Sequence, residues 1–241
     1  MSGQKTLRFA TPDLLARAAA DQLAAIVHST DGTCHVALSG GSTPKRLFQL
    51  LAQRGRDFLP WDRVELWWSD ERCVPPDHPD SNYGMANQYL ITPLGLDHSR
   101  VHRMEGERDP EHAARDYEAL MIDRLGTPPE LDLDFLGMGP DGHCASLHPG
   151  SPGLYETERW VIANHVDSPL TGGKAVRLTL TPPALNEAKH TRFLVAGADK
   201  AATLAKVLHG PRGMFPSQLV QGGEIVWLVD DAAASELGAK S

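Results

Sequence analysis

Asp141 and His143, a carboxylate and an imidazole separated by one glycine, are the residues of this chain best equipped to move a proton. A carboxylate beside an imidazole fixes its tautomer and keeps the basic nitrogen aimed outward, as a general base requires. Both lie in the stretch 132–149, D-L-D-F-L-G-M-G-P-D-G-H-C-A-S-L-H-P. Leu133, Phe135 and Leu136 make an apolar run of strand length that stops at Gly137. Gly139, Pro140 and Gly142 follow closely and force a tight, exposed turn. In open α/β sheets, ligands bind at the carboxyl ends of strands. Gly137-x-Gly139-x-x-Gly142 also satisfies a dinucleotide pattern, with Asp167 ending a later strand. Pro149-Gly150, however, cuts short the helix that a pyrophosphate would need. A glycine turn carrying a solvated histidine is the plain alternative, so catalysis needs support from elsewhere in the chain. Cys144 adjoins His143, but sequence neighbours usually point in different directions, and packing is its expected role.

That support begins at Ser39-Gly40-Gly41-Ser42-Thr43-Pro44. A strand, two glycines, hydroxyl residues and a proline opening a helix gather backbone N–H groups around one concavity. With the helix dipole this makes a phosphate site, although no Walker A pattern is present. An ordinary strand-to-helix turn is the competing reading, and two adjacent glycines exceed what it needs. Asp70-Glu71-Arg72 ends the strand Val64–Ser69. The three charges read either as a solvated turn or, for Arg72, as a guanidinium placed to fork onto an anion in the first loop. Lys200, opening a later helix, is a further cation within reach of phosphate.

Strands and helices alternate around these loops. Thr11-Pro12-Asp13 starts a helix whose Leu15, Ala19, Leu23, Ile26 and Val27 recur on one face. Cys34 to Leu38 reads as a strand before the phosphate loop, with a helix over 44–54 after it. Trp67 and Trp68 point to opposite faces of their strand, both into the core. The proline-rich segment 73–84 is a loop of functional length, and Ser81-Asn82 caps a helix reaching about Leu90. Helices are also expected over Pro110–Leu125, after Thr181-Pro182-Pro183 and from Lys200 to Leu208. Strands are expected over 160–164, 175–180, 192–196 and 225–229, with a short helix after Asp230-Asp231. The alternation predicts an α/β fold, a mostly parallel sheet with helices on both faces, in one domain over residues 1–241.

The chain has 241 residues, ordinary apolar content and a formal net charge of −8, which argues against nucleic acid or an anionic membrane as partner. The amino terminus lacks the apolar core of a signal peptide, and no apolar span reaches transmembrane length. A cytoplasmic location is expected. Cys34, Cys73 and Cys144 are odd in number and far apart, hence reduced thiols rather than disulfides or zinc ligands.

Four segments together resemble the 6-phosphogluconolactonase family: S-G-G-S-T-P at 39–44, S-D-E-R at 69–72, G-M-G-P-D-G-H-C-A-S-L-H-P-G at 137–150 and R-L-T-L-T-P-P-A-L-N at 177–186. G-A-D-K-A around Lys200 and E-I-V-W-L-V-D near the end extend the likeness over nearly the whole chain. The resemblance implies a modified Rossmann-like fold, shared with glucosamine-6-phosphate deaminases and ribose-5-phosphate isomerases. It implies hydrolysis of a small sugar-phosphate lactone without cofactor or metal, by a monomer or small homo-oligomer. It makes His143 the general base and Asp141 its companion, and puts Ser39, Gly40, Gly41, Ser42 and Thr43 on the phosphate loop. Arg72 becomes the phosphate-binding arginine, with Arg177 and Lys200 also facing the substrate and Asp70 and His148 lining the pocket. The family usually carries Phe at the place of His148 and Thr at that of Cys144. A deaminase/isomerase of the same superfamily would have Tyr where Arg72 stands and Glu where His148 stands. A non-catalytic sugar-phosphate sensor would carry a DNA-binding segment, whereas this chain begins with its first strand.

Overall fold

Residues 4–238 are described by the structure, a computed structural model. In chain order the strands are β1 (Lys5–Phe9), β2 (Cys34–Leu38), β3 (Val64–Trp68), β4 (Asp70–Arg72), β5 (Leu133–Gly137), β6 (Val161–Ser168), β7 (Gly173–Leu180), β8 (His190–Val195) and β9 (Glu224–Asp230). The helices are α1 (Pro12–Ser29), α2 (Ser42–Arg54), α3 (Asn82–Ala86), α4 (Thr92–Leu94), α5 (Pro110–Leu125), α6 (Pro182–Asn186) and α7 (Ala201–His209). One turn of π-helix, Asn87–Ile91, joins α3 to α4.

Six strands form a parallel sheet in the order β1-β9-β8-β5-β2-β3. The order explains where a ligand can sit. From β2 the chain crosses outward to β3, whereas from β5 it returns in the opposite direction to β8. The neighbours β2 and β5 therefore flank a switch point, where the connections leaving two adjacent strands part and open a crevice. Both glycine-bearing loops leave from the carboxyl ends of these two strands. Right-handed crossovers put α1 and α2 on one face, and the two helices pack together there.

Local chemistry accounts for the elements. Thr11 Oγ1 accepts from Leu14 N at 3.2 Å, Pro12 supplies the first turn, and the apolar stripe of α1 is buried as its spacing predicts. Trp67 and Trp68 are both buried, Trp67 against His102 and Tyr117 and Trp68 against Tyr83.

Three expectations are corrected. Asp70-Glu71-Arg72 is not a solvated turn: it is β4, edge strand of a second, antiparallel sheet ordered β4-β7-β6. Its charges are tolerated because they are satisfied. Glu71 accepts from the backbone N–H groups of Arg72, Asn82 and Tyr83 and from Ser81 Oγ. The strand expected over 160–164 runs on to Ser168, because it pairs with β7 along eight residues. After Asp230 there are turns instead of a helix, although Asp230 Oδ1 accepts from Ala233 N at 2.7 Å as a helix cap would; the same oxygen also accepts from Gly197 N at 3.1 Å.

Candidate active site

The turn after β5 is built around His143. Gly142 adopts φ +79°, and the Gly142 N–H donates to the Gly139 carbonyl at 3.0 Å. A Cβ on Gly139 would run into the His143 ring, so only glycine lets the backbone approach that closely. A Cβ on Gly142 would strike Phe215, and Ser217 N donates to the Gly142 carbonyl at 3.0 Å. Thr203 Oγ1 of α7 donates to the Pro140 carbonyl at 2.6 Å. The turn is thus braced from two sides.

On this turn His143 Nδ1 lies 2.6 Å from Asp141 Oδ1, and His143 N donates to the same oxygen at 3.1 Å. Partial burial pushes the Asp141 carboxyl upward, but hydrogen bonding from His143 and the approach of His148 outweigh it and hold the carboxyl well below its usual range. An ionised carboxylate can only accept, so the proton between them belongs to His143 Nδ1 and Nε2 keeps its lone pair. The backbone N–H groups of Gly139, Gly142 and His143 are engaged within the turn and are not available to a developing oxyanion.

The cleft beside it, about 330 Å³, is lined by Ser39, Gly40, Gly41, Ser42, Thr43, Asp70, Arg72, His143 and Lys200, among others. Helix α2 begins two residues earlier than its proline suggests, and no side chain caps its start at Gly41. Its first N–H groups are therefore open to an anion. Ser39 Oγ is buried and has no hydrogen-bond partner among the described residues. Arg72 Nη1 donates at 2.6 Å to both the Asp80 carbonyl and Asn82 Oδ1. Lys200 Nζ donates to Asp199 Oδ2 at 2.6 Å, so an acid shares the cleft with the cations.

Two expected residues stand elsewhere. Arg177 does not line the cleft. It pairs with Arg72 across β4 and β7, so both side chains leave the same face of the small sheet; burial and the Arg72 charge pull the Arg177 guanidinium below its usual range. His148 does not line the cleft either. It is buried behind His143, the two rings stacked with centroids 4.0 Å apart, because its backbone carbonyl is held by Ser151 N and Oγ at 3.0 and 2.8 Å. Asp141, His143 and His148 offer donor atoms within 4.8 Å of one another, a spacing that suits a metal. The proton that His143 Nδ1 donates to Asp141 Oδ1, however, leaves that nitrogen no lone pair for an ion.

Asn82 is a site residue that its sequence context concealed. Read from the chain, it is part of a helix cap; in the structure its amide also donates to the Asp70 carbonyl at 2.8 Å and accepts from Arg72. A Cβ on Gly40 would collide with it. Asn82 thus packs against the backbone of the 39–44 loop while holding Arg72. Ser81-Asn82 closing a proline-rich loop was the available signal, but a cap satisfied it. Leu170, from the β6–β7 connection, also reaches the cleft. Cys144 is buried and its thiol is pushed upward by burial and by Asp134 and Asp70, the state of a packing residue.

A family model described as glucosamine-6-phosphate isomerases/6-phosphogluconolactonase matches residues 10–227. A 6-phosphogluconolactonase of Synechocystis is 37% identical over 221 residues, covering 88% of each chain. One of Streptomyces coelicolor is 37% identical over 241 residues, covering 93% of this chain and 91% of its own. The solved 6-phosphogluconolactonase of Trypanosoma cruzi superposes with a TM-score of 0.88 at 28% identity, over 99% of this chain and 98% of the other. By fold, by the matched span and by likeness to these relatives, the chain belongs to the glucosamine-6-phosphate isomerase/6-phosphogluconolactonase family.

Proposed function

We propose that the protein hydrolyses 6-phosphoglucono-δ-lactone to 6-phosphogluconate in the oxidative pentose phosphate pathway, with His143 as general base. The observation carrying this reading is that the Asp141-oriented imidazole opens into the same cleft as the uncapped start of α2 and Arg72. A δ-lactone is an already reactive ester, so an activated water suffices and no covalent nucleophile is required. Nε2 of His143 takes a proton from water as the water oxygen bonds to C1. The tetrahedral intermediate then collapses, the bond from C1 to the ring oxygen breaks, and the imidazolium returns its proton to that oxygen. Asp141 holds the tautomer throughout and offsets the transient charge. General-base help of this kind contributes on the order of 10²–10⁴ in rate.

The phosphate supplies binding energy remote from the reacting carbon. In a chain of net charge −8 a dianion needs a local positive site. The first N–H groups of α2, Ser39 Oγ and Arg72 provide one, with Lys200 lining the same cleft. Arg177, beside Arg72, adds to the field without touching the cleft. The chemistry needs no membrane or nucleic acid, and a cytoplasmic setting suits it.

Freshly prepared lactone, followed by acid release against its spontaneous hydrolysis, tests the proposal. Catalysed acid release is expected, with no ammonia formed from glucosamine 6-phosphate. Ammonia release without lactone turnover would place the protein with the deaminases; tight binding without turnover would make it a sensor.

A further inference from the structure

Behind the proposed base lies a second imidazole that the reaction as written does not use. His148 is buried, and its ring lies nearly flat against that of His143, centroids 4.0 Å apart and planes at 25°. The Gly139 backbone also approaches the His143 ring closely, so the ring packs against a glycine as well as a histidine. His148 Nδ1 is buried, has no hydrogen-bond partner among the described residues, and lies 3.6 Å from Asp141 Oδ2. Asp141 divides its two oxygens accordingly: Oδ1 takes the His143 ring and backbone N–H groups, and Oδ2 faces His148. A purely apolar ring would fill the same space. It would leave Oδ2, on a half-buried side chain, with no donor facing it from that side, a cost to an ionised carboxylate.

We propose that His148 is a positioning residue: its ring backs His143, and its Nδ1–H steadies the second oxygen of Asp141 so that the first stays aimed at His143. The inference rests on the reading of His143 as the base. Two rigid contacts on one small ring leave it little freedom to turn away from the water it must deprotonate, and orientation of that kind acts on turnover rather than on binding. A contracting 3.6 Å gap would also share the charge of Asp141 between two imidazoles as His143 becomes an imidazolium.

The test compares the wild type with His148→Phe, which keeps a stacked ring without the N–H, and His148→Asn, which keeps a donor without the ring. Turnover of the lactone and the nitrogen-edited NMR titration of the His143 ring are measured on the same samples. His148→Phe is expected to lower kcat about 3- to 30-fold with KM within about twofold. The His143 Nδ1–H resonance should shift, and its titration midpoint should rise, because Asp141 with one donor fewer holds the His143 proton more tightly. His148→Asn should recover part of the NMR change. An unaltered His143 resonance and titration in His148→Phe would overturn the proposal, whatever the rate. So would loss of all turnover with the His143 spectrum unchanged, since His148 would then be moving the proton itself. A wild type that ignores the lactone while His148→Phe still perturbs His143 would sink the lactonase reading and leave the positioning role standing.

Discussion

At the scale of single residues, the site works by giving each polar atom one task. Asp141 is kept ionised by its donors, and that state decides which nitrogen of His143 is free. Asp141→Asn keeps the shape but lets the amide bind either tautomer, so kcat should fall on the order of 10²-fold or more with little change in KM, as steady-state kinetics would show. The same carboxyl contributes to stability with a definite sign. Its folded-state value lies below the unfolded one of 3.8, so its contribution is present above pH 3.8 and is lost as the pH falls further. In the proposed mechanism Arg72 is the opposite case, a group that holds rather than reacts. Arg72→Lys keeps the charge but lacks the planar fork that lets one side of the guanidinium hold Asn82 and the Asp80 carbonyl while the other faces a phosphate. KM is expected to rise about tenfold with kcat within a factor of a few, about 1.4 kcal/mol of binding. The identities and spacing of Asp141, His143 and the 39–44 loop were legible in the chain because each motif is contiguous. The roles of Asn82 and His148 were not, because each depends on a neighbour brought in by folding.

At the scale of elements, β5 and the turn after it carry two features that ordinary strands avoid. Asp134 sits in the middle of β5, fully buried, with Ser69 Oγ donating to Oδ1 at 2.6 Å and Oδ2 unpartnered among the described residues. Burial raises its carboxyl to about 7, the Ser69 hydrogen bond opposing and Asp70 adding to the rise. In the unfolded chain this proton leaves near pH 3.8. Between the two values the native state holds the extra proton, so stability falls as pH rises and the penalty is complete above about pH 7. Asp134→Asn keeps an acceptor for Ser69 and cannot ionise. It should therefore stabilise the protein by on the order of 3 kcal/mol at pH 8 and progressively less towards pH 5, read from urea midpoints at several pH values. The second feature is Ala145, whose φ of +47° lies in the left-handed region. Ala145→Gly should raise the unfolding free energy by about 1 kcal/mol, and a substitution to valine should lower it by more. Neither strain nor burial at these positions shows in the chain, where Asp134 sits in an apolar run and Ala145 follows a cysteine.

At the scale of the whole molecule, two loops 98 residues apart, counted from Ser39 to Gly137, meet because β2 and β5 are neighbours whose outgoing connections diverge. Alternation of strands and helices made the parallel sheet legible, but its order was not, since nothing local in β2 names β5 as its partner. The small sheet escaped for a related reason. A three-residue strand such as β4 has too short a pattern to read, and its charges imitate a turn. The apolar core runs without a break from Leu133 and Phe193 of the large sheet to Val161, Leu178 and Leu180 of the small one. We propose that the chain forms one cooperative unit. Calorimetry should then give a single transition with equal calorimetric and van't Hoff enthalpies, and two separable transitions would refute it. The central claim, that one cleft brings a base and an anion cradle to the same sugar phosphate, is tested most directly by His143→Ala. Its turnover of the lactone and its affinity for 6-phosphogluconate are to be measured side by side. Turnover is expected to drop at least about 10²-fold with product affinity within about threefold of wild type; undiminished turnover would contradict the claim.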